Sequence, residues 1–63
     1  MNKYVIRIVI KQDILYIGNK DALVFDAIKA RIYTYYDALK EAEQWKKFKH
    51  TLVNIIPFEK VIK

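Results

Sequence analysis

No cysteine and no serine occur in this 63-residue chain, and glycine, proline, histidine and tryptophan occur once each. Without cysteine there is no disulfide and no thiolate metal site, two supports on which very small domains commonly rely. The lone histidine, His50, follows a helical stretch, where an imidazole most simply serves the terminal carbonyls. Thr34 and Thr51 are the only serine-like hydroxyls. The seven acids do not gather into a pair with a further ligand, and Asp37 and Glu41 lie one turn apart on a face that reads as solvated. A single glycine, Gly18, cannot build a phosphate cradle, and nothing beside Lys29 marks a pocket that would depress its pKa. The expectation is a protein that is not an enzyme and uses neither cofactor nor metal.

Long apolar runs are missing too. None approaches the ~20 residues of a membrane span. The apolar residues from Tyr4 to Ile10 are split by Arg7 and precede no small-residue cleavage site, so no secretory signal is read and a cytoplasmic protein is expected.

What the chain does have is apolar residues, at 54% of the total. That is more than disordered segments carry, and the length allows a single domain over residues 1–63. A domain this small buries a modest share of its surface, so a dense core or a shared one is needed. Twelve Lys and Arg face seven Asp and Glu, a net charge of +5. Such a balance suits nucleic acid or an acidic protein surface. Ten of the twelve cations are Lys, matched by ten Ile, which also fits the codon bias of an AT-rich genome.

Residues 3–11 are rich in β-branched side chains and predict a strand. Alternation sends Tyr4, Ile6, Ile8 and Ile10 to the core and Lys3, Val5, Arg7, Val9 and Lys11 to the opposite face. A two-residue turn at Gln12-Asp13 would pair Leu15 with Ile10 and Ile17 with Ile8. Gly18 is expected to end this hairpin by adopting a positive φ. Residues 20–33 read as a compact crossover. Asp21 and Asp26 are candidate caps, Arg31-Ile32-Tyr33 looks extended, and Leu23, Phe25, Ile28 and Ile32 are expected in the core.

Thr34 is a good helix N-cap with Asp37 three residues on, a relative of the capping box. Tyr35, Ala38, Leu39, Ala42 and Trp45 share one face at helical spacing. Trp45 is expected to be largely buried near Ile6, Ile8 and Leu39. Glu43 and Lys47 form a favourable pair, and lysines near residues 46–49 suit the helix C-terminus. The predicted helix spans about 34–49. Thr51 to Ile56 predicts a third strand with Val53 and Ile55 inward, Leu52 and Ile56 outward, and Pro57 ending it or marking an edge. Residues 58–63 suit a short strand or a packed tail. The fold class is α+β: a small antiparallel sheet in the order β-β-crossover-α-β, with one helix on one face.

The other sheet face is the informative one. Val5, Val9, Ile14, Tyr16, Leu52 and Ile56 would form an apolar patch in water, and such patches mark interfaces. Self-association is expected, by a two-fold packing of these sheet faces or by edge pairing; in the face-to-face dimer Arg7 and Lys11 lie toward the rim, with Glu59 or Asp13 nearby to offset them. A different protein on the same patch, or cover from the C-terminal tail, is the alternative. Read for nucleic acid, the face offers Lys3, Arg7 and Lys11 around Tyr16, and Lys46, Lys47 and Lys49 add a second cationic cluster.

The succession Lys3-Tyr4-Val5-Ile6-Arg7-Ile8, Ala27-Ile28-Lys29-Ala30-Arg31-Ile32-Tyr33, Thr34-Tyr35-Tyr36-Asp37-Ala38 and Val53-Asn54-Ile55-Ile56-Pro57 resembles small uncharacterised proteins of phages and prophages in low-GC Gram-positive bacteria. The likeness covers most of the chain and departs from Asn19 to Asp26. It implies a non-enzymatic accessory protein in the host cytoplasm that binds and modulates or inhibits a host protein complex. Inhibitors of bacterial defence, anti-CRISPR proteins among them, are one such group. Many of those mimic DNA with acidic surfaces. This basic chain would instead dock on protein or on guide RNA, and the other expected role is a small basic nucleic-acid-binding module.

Overall fold

The computed structural model describes residues 3–61. These form a four-stranded antiparallel sheet in the order β3-β2-β1-β4, with β1 at Tyr4–Ile10, β2 at Asp13–Ile17, β3 at Leu23–Val24 and β4 at Thr51–Pro57. The helix α1, Tyr35–Trp45, lies on one face, mainly over β1 and β4. A short helix α2, Phe58–Val61, follows β4 where a strand or tail was expected. Ile62 and Lys63, part of that expectation, lie outside the described residues. No described helix is long and apolar enough to cross a membrane.

The inward set of β1 builds the core as alternation predicts. Ile6 and Ile8 have no exposed surface and cluster with Ile17, Tyr33 and Ala38; Tyr4, Ile10, Trp45, Val53 and Ile55 pack against them. Each fully buried aliphatic side chain contributes roughly 1.5–3 kcal/mol. Ala38 and Ala42, at 0% and 2% exposure, bring the helix backbone close to the sheet. Thr34 caps α1, its Oγ1 accepting from the Asp37 N–H at 3.2 Å. Tyr33 and Ala38 stand on either side of that cap and share the core cluster, as in a hydrophobic staple.

Several expectations are corrected. The hairpin pairs Ile10 with Asp13, Val9 with Ile14, Ile8 with Leu15 and Arg7 with Tyr16, two residues from the expected register. The turn sits at Lys11-Gln12, and Lys11 takes the positive φ of 57° that a tight hairpin needs. A two-residue slip keeps every side chain on its face, so the pattern alone cannot detect it. Gly18 is extended, with φ −96°. It is required for space: a Cβ there would lie 3.2 Å from Val24 Cγ1, 3.3 Å from the Ala22 carbonyl oxygen and 3.4 Å from that of Lys29.

The crossover is more ordered than its sequence suggests. After a 3-10 turn over Asn19–Asp21, with Asp21 at its end rather than as a cap, β3 pairs with β2. Asp26 caps the next 3-10 turn, Ala27–Lys29, by accepting from the Ile28 N–H at 3.0 Å. Phe25 and Ile28 are 76% and 73% exposed, and Leu23 and Ile32 are also exposed, contrary to their expected place in the core. Tyr33 and the buried alanines already fill that inner space.

On α1, Tyr35 and Leu39 are more exposed than their helical spacing suggests, and Trp45 is half-buried. The helix stops at Trp45 rather than near residue 49. Trp45 stacks on Phe48 at 5.6 Å, the Phe48 N–H bonds the Trp45 carbonyl, and His50 at φ 62° reverses the chain into β4. His50 therefore serves a turn, and Glu43 pairs with Lys46 at 3.6 Å instead of with Lys47.

Candidate functional site

The sheet face away from α1 is built by strict alternation. Register places Val5 beside Ile56, lines up Asn54, Arg7, Tyr16 and Val24 across all four strands, and lines up Leu52, Val9 and Ile14 across three. Every apolar residue named for this face therefore lies on it, as does Arg7, while Lys3 and Lys11 fall just outside β1. They are not equally available. Leu52 and Ile14 are 67% and 49% exposed, Val9, Tyr16 and Ile56 are half-buried, and Val5 has no exposed surface at all. Val5 is removed as a contact residue. Its end of the sheet carries α2, whose Phe58 N–H donates to the Lys3 carbonyl at 2.7 Å, and the crossover carbonyls crowd Gly18 nearby. With Val5 removed, the open patch keeps Val9, Ile14, Tyr16, Leu52 and Ile56.

Charge on this face has one sign. Lys3 and Lys11 are exposed, Arg7 sits between them, and the four strands contribute no carboxylate. Asp13 pairs with Ile10 and so has inward parity, and Glu59 is on α2. Among the described residues neither makes an ion pair with Arg7 or Lys11, so the expected compensation is not found. The Arg7 Nε is buried and has no hydrogen-bond partner. A guanidinium presents donors in a planar fork suited to a carboxylate. At the hairpin end, Val9, Lys11, His50, Thr51 and Leu52 line an open cleft of about 530 Å³.

The second cationic cluster is less coherent. Lys46, Lys47 and Lys49 are exposed between α1 and β4, and Lys46 is engaged by Glu43. Tyr16 is the only aromatic that the strands place on the open face. Tyr35 stacks with Tyr4 at 5.1 Å and Tyr33 enters the core, both on the helix side.

Sequence reasoning missed a second cleft, of about 410 Å³, lined by Arg31, Tyr33, Asp37, Lys40, Glu41 and Gln44. Tyr33 is 5% exposed and its hydroxyl has no partner. Burial, with the nearby Glu41 carboxylate next, raises its pKa above 10.0, the Arg31 guanidinium opposing. The hydroxyl is held protonated, with a proton to donate and lone pairs to accept at neutral pH. Glu41 is engaged by the Trp45 indole Nε1–H at 3.2 Å, and the cations and acids of this cleft alternate in sign. The signal for Tyr33 was its place just before the N-cap, the staple position. No group of potential metal ligands occurs among the described residues. No family model, no curated protein and no solved structure matches this chain.

Proposed function

We propose that the protein acts stoichiometrically, as a binding module whose open sheet face docks an acidic surface of another protein. One observation carries the reading: Arg7, with an unpartnered buried Nε, lies at the centre of a face to which the strands bring no carboxylate, and exposed Lys3 and Lys11 flank the two ends of β1. The exposed aliphatics Ile14 and Leu52 beside it favour a protein over a nucleic acid. A base-stacking surface uses two or three aromatics, and the strands of this face supply Tyr16 alone. Modulation or inhibition of a host complex, the role implied by the resemblance to phage proteins, is one instance of such binding.

The test compares tagged parent, Arg7→Glu and Leu52→Asp in a host lysate, with melting curves to confirm folding. A protein held by the parent and released by both folded variants supports the docking face. The same protein held equally by all three overturns it. A gel shift whose salt dependence steepens with Lys3, Arg7 and Lys11 would instead establish the nucleic-acid module.

A further inference from the structure

β4 is the sheet's long edge strand, and it is unprotected. Natural edges carry charges, prolines or bulges, or are very short. β3, the opposite edge, has two residues. β4 has seven, Thr51-Leu-Val-Asn-Ile-Ile-Pro57, with no charge and proline only at its end.

The direction of its free backbone groups follows from the ladder. Tyr4 exchanges N–H and C=O with Tyr33, so Tyr4, Ile6, Ile8 and Ile10 point theirs away from β4. Val5, Arg7 and Val9 therefore bond Ile56, Asn54 and Leu52, and the Phe58 N–H to Lys3 bond continues the series. Thr51, Val53, Ile55 and Pro57 are left pointing outward. Among the described residues none of these backbone groups finds a partner outside the sheet.

We propose that two copies of the chain pair antiparallel along β4, about a two-fold axis at Asn54. This goes beyond the docking reading and leaves Arg7, Val9, Ile14 and Tyr16 of the docking face outside the seam. In this register Val53 meets Ile55 of the other copy and exchanges both backbone bonds with it. The Thr51 N–H meets the Pro57 carbonyl, so the missing proline N–H costs little. Leu52 lies beside the other copy's Ile56, and Asn54 beside its own equivalent. Sliding by two residues sets Leu52 or Ile56 against Asn54 and forfeits the Leu52–Ile56 pairs.

Charge selects this seam over the stacked faces expected from the sequence. Stacked sheets lie ~10 Å apart, which brings Arg7 and Lys11 of both copies together with no acid between. Edge pairing separates the two Arg7 positions by three strand spacings, ~14 Å, beyond the Debye length of ~8 Å at physiological salt. It also places the two α1 helices on the same face of the joined sheet, since α1 lies over β1 and β4.

The absence of cysteine makes the test clean. Two residues facing at a non-hydrogen-bonded position have Cα atoms ~4.5 Å apart, within disulfide range. Asn54→Cys should therefore cross-link under mild oxidation, whereas Ile14→Cys, exposed on the docking face, should not. Sedimentation equilibrium of the parent at micromolar concentration should give twice the 7.6 kDa chain mass. Asn54→Lys puts like charges across the axis and should weaken the dimer roughly tenfold, with high salt restoring it and the circular dichroism unchanged. A monomeric parent overturns the proposal, as does cross-linking at Ile14→Cys in place of Asn54→Cys. A dimeric parent whose captured protein is held equally by Arg7→Glu and Leu52→Asp would count against the docking face alone.

Discussion

Tyr33 and Tyr4 exchange two backbone hydrogen bonds, at 2.9 and 2.8 Å, which carries the crossover back onto β1 beyond the end of β2. The Arg31 N–H to the Ile17 carbonyl, at 2.9 Å, closes the same junction. Tyr33 thereby enters the core with its hydroxyl unpartnered. An unsatisfied buried hydroxyl is costly, so Tyr33→Phe should leave stability unchanged or raise it by about 1 kcal/mol. Thermal melts of the two proteins check this.

The same hydroxyl gives a pH dependence. Its folded-state pKa is raised above 10.0 while the unfolded chain ionises at the ordinary value. Its contribution is fully present below pH ~10 and is lost as pH climbs through the folded pKa. The parent's melting temperature should fall in that alkaline window more steeply than that of Tyr33→Phe. Identical slopes would contradict the assignment.

Gly18→Ala should destabilise by about 1–3 kcal/mol, the usual cost of overpacking. The new methyl meets two backbone carbonyls, which cannot move aside as a side chain would. Urea denaturation gives the figure, and an unchanged midpoint would show that the crossover yields freely.

Thr34→Ala removes the acceptor for the Asp37 N–H and should cost about 0.5–2 kcal/mol. Thr34→Ser should recover most of it, which separates capping from loss of the methyl group.

The corrected core makes an opposed pair of predictions. Phe25→Ser, at a side chain 76% exposed, should shift stability by no more than about 0.5 kcal/mol. Ile17→Ala, at a side chain with no exposed surface, should cost about 2–5 kcal/mol. Equal effects would mean that the crossover packs as its sequence first suggested.

Much was legible because it rests on local periodicity. Alternation in β1 and β4 assigned both faces of the sheet, and Thr34 announced the start of α1. Val5, Arg7 and Val9 share one face because a strand turns each successive side chain over, whereas Lys11 falls in the turn, where alternation no longer applies. The hairpin register was beyond reach, since a slip of two residues leaves every face intact.

By itself the sequence determined the α+β class, the inward isoleucines, the capped helix and the alternation that sets basic residues among apolar ones. Only the tertiary structure decided that Val5 is covered and Leu52 is not, that Phe25 stays in water, and that the Arg7 Nε lacks a partner. Those outcomes depend on how α2 and the crossover meet the ends of the sheet. Such contacts join residues far apart in the chain and leave no repeat in the order of its amino acids.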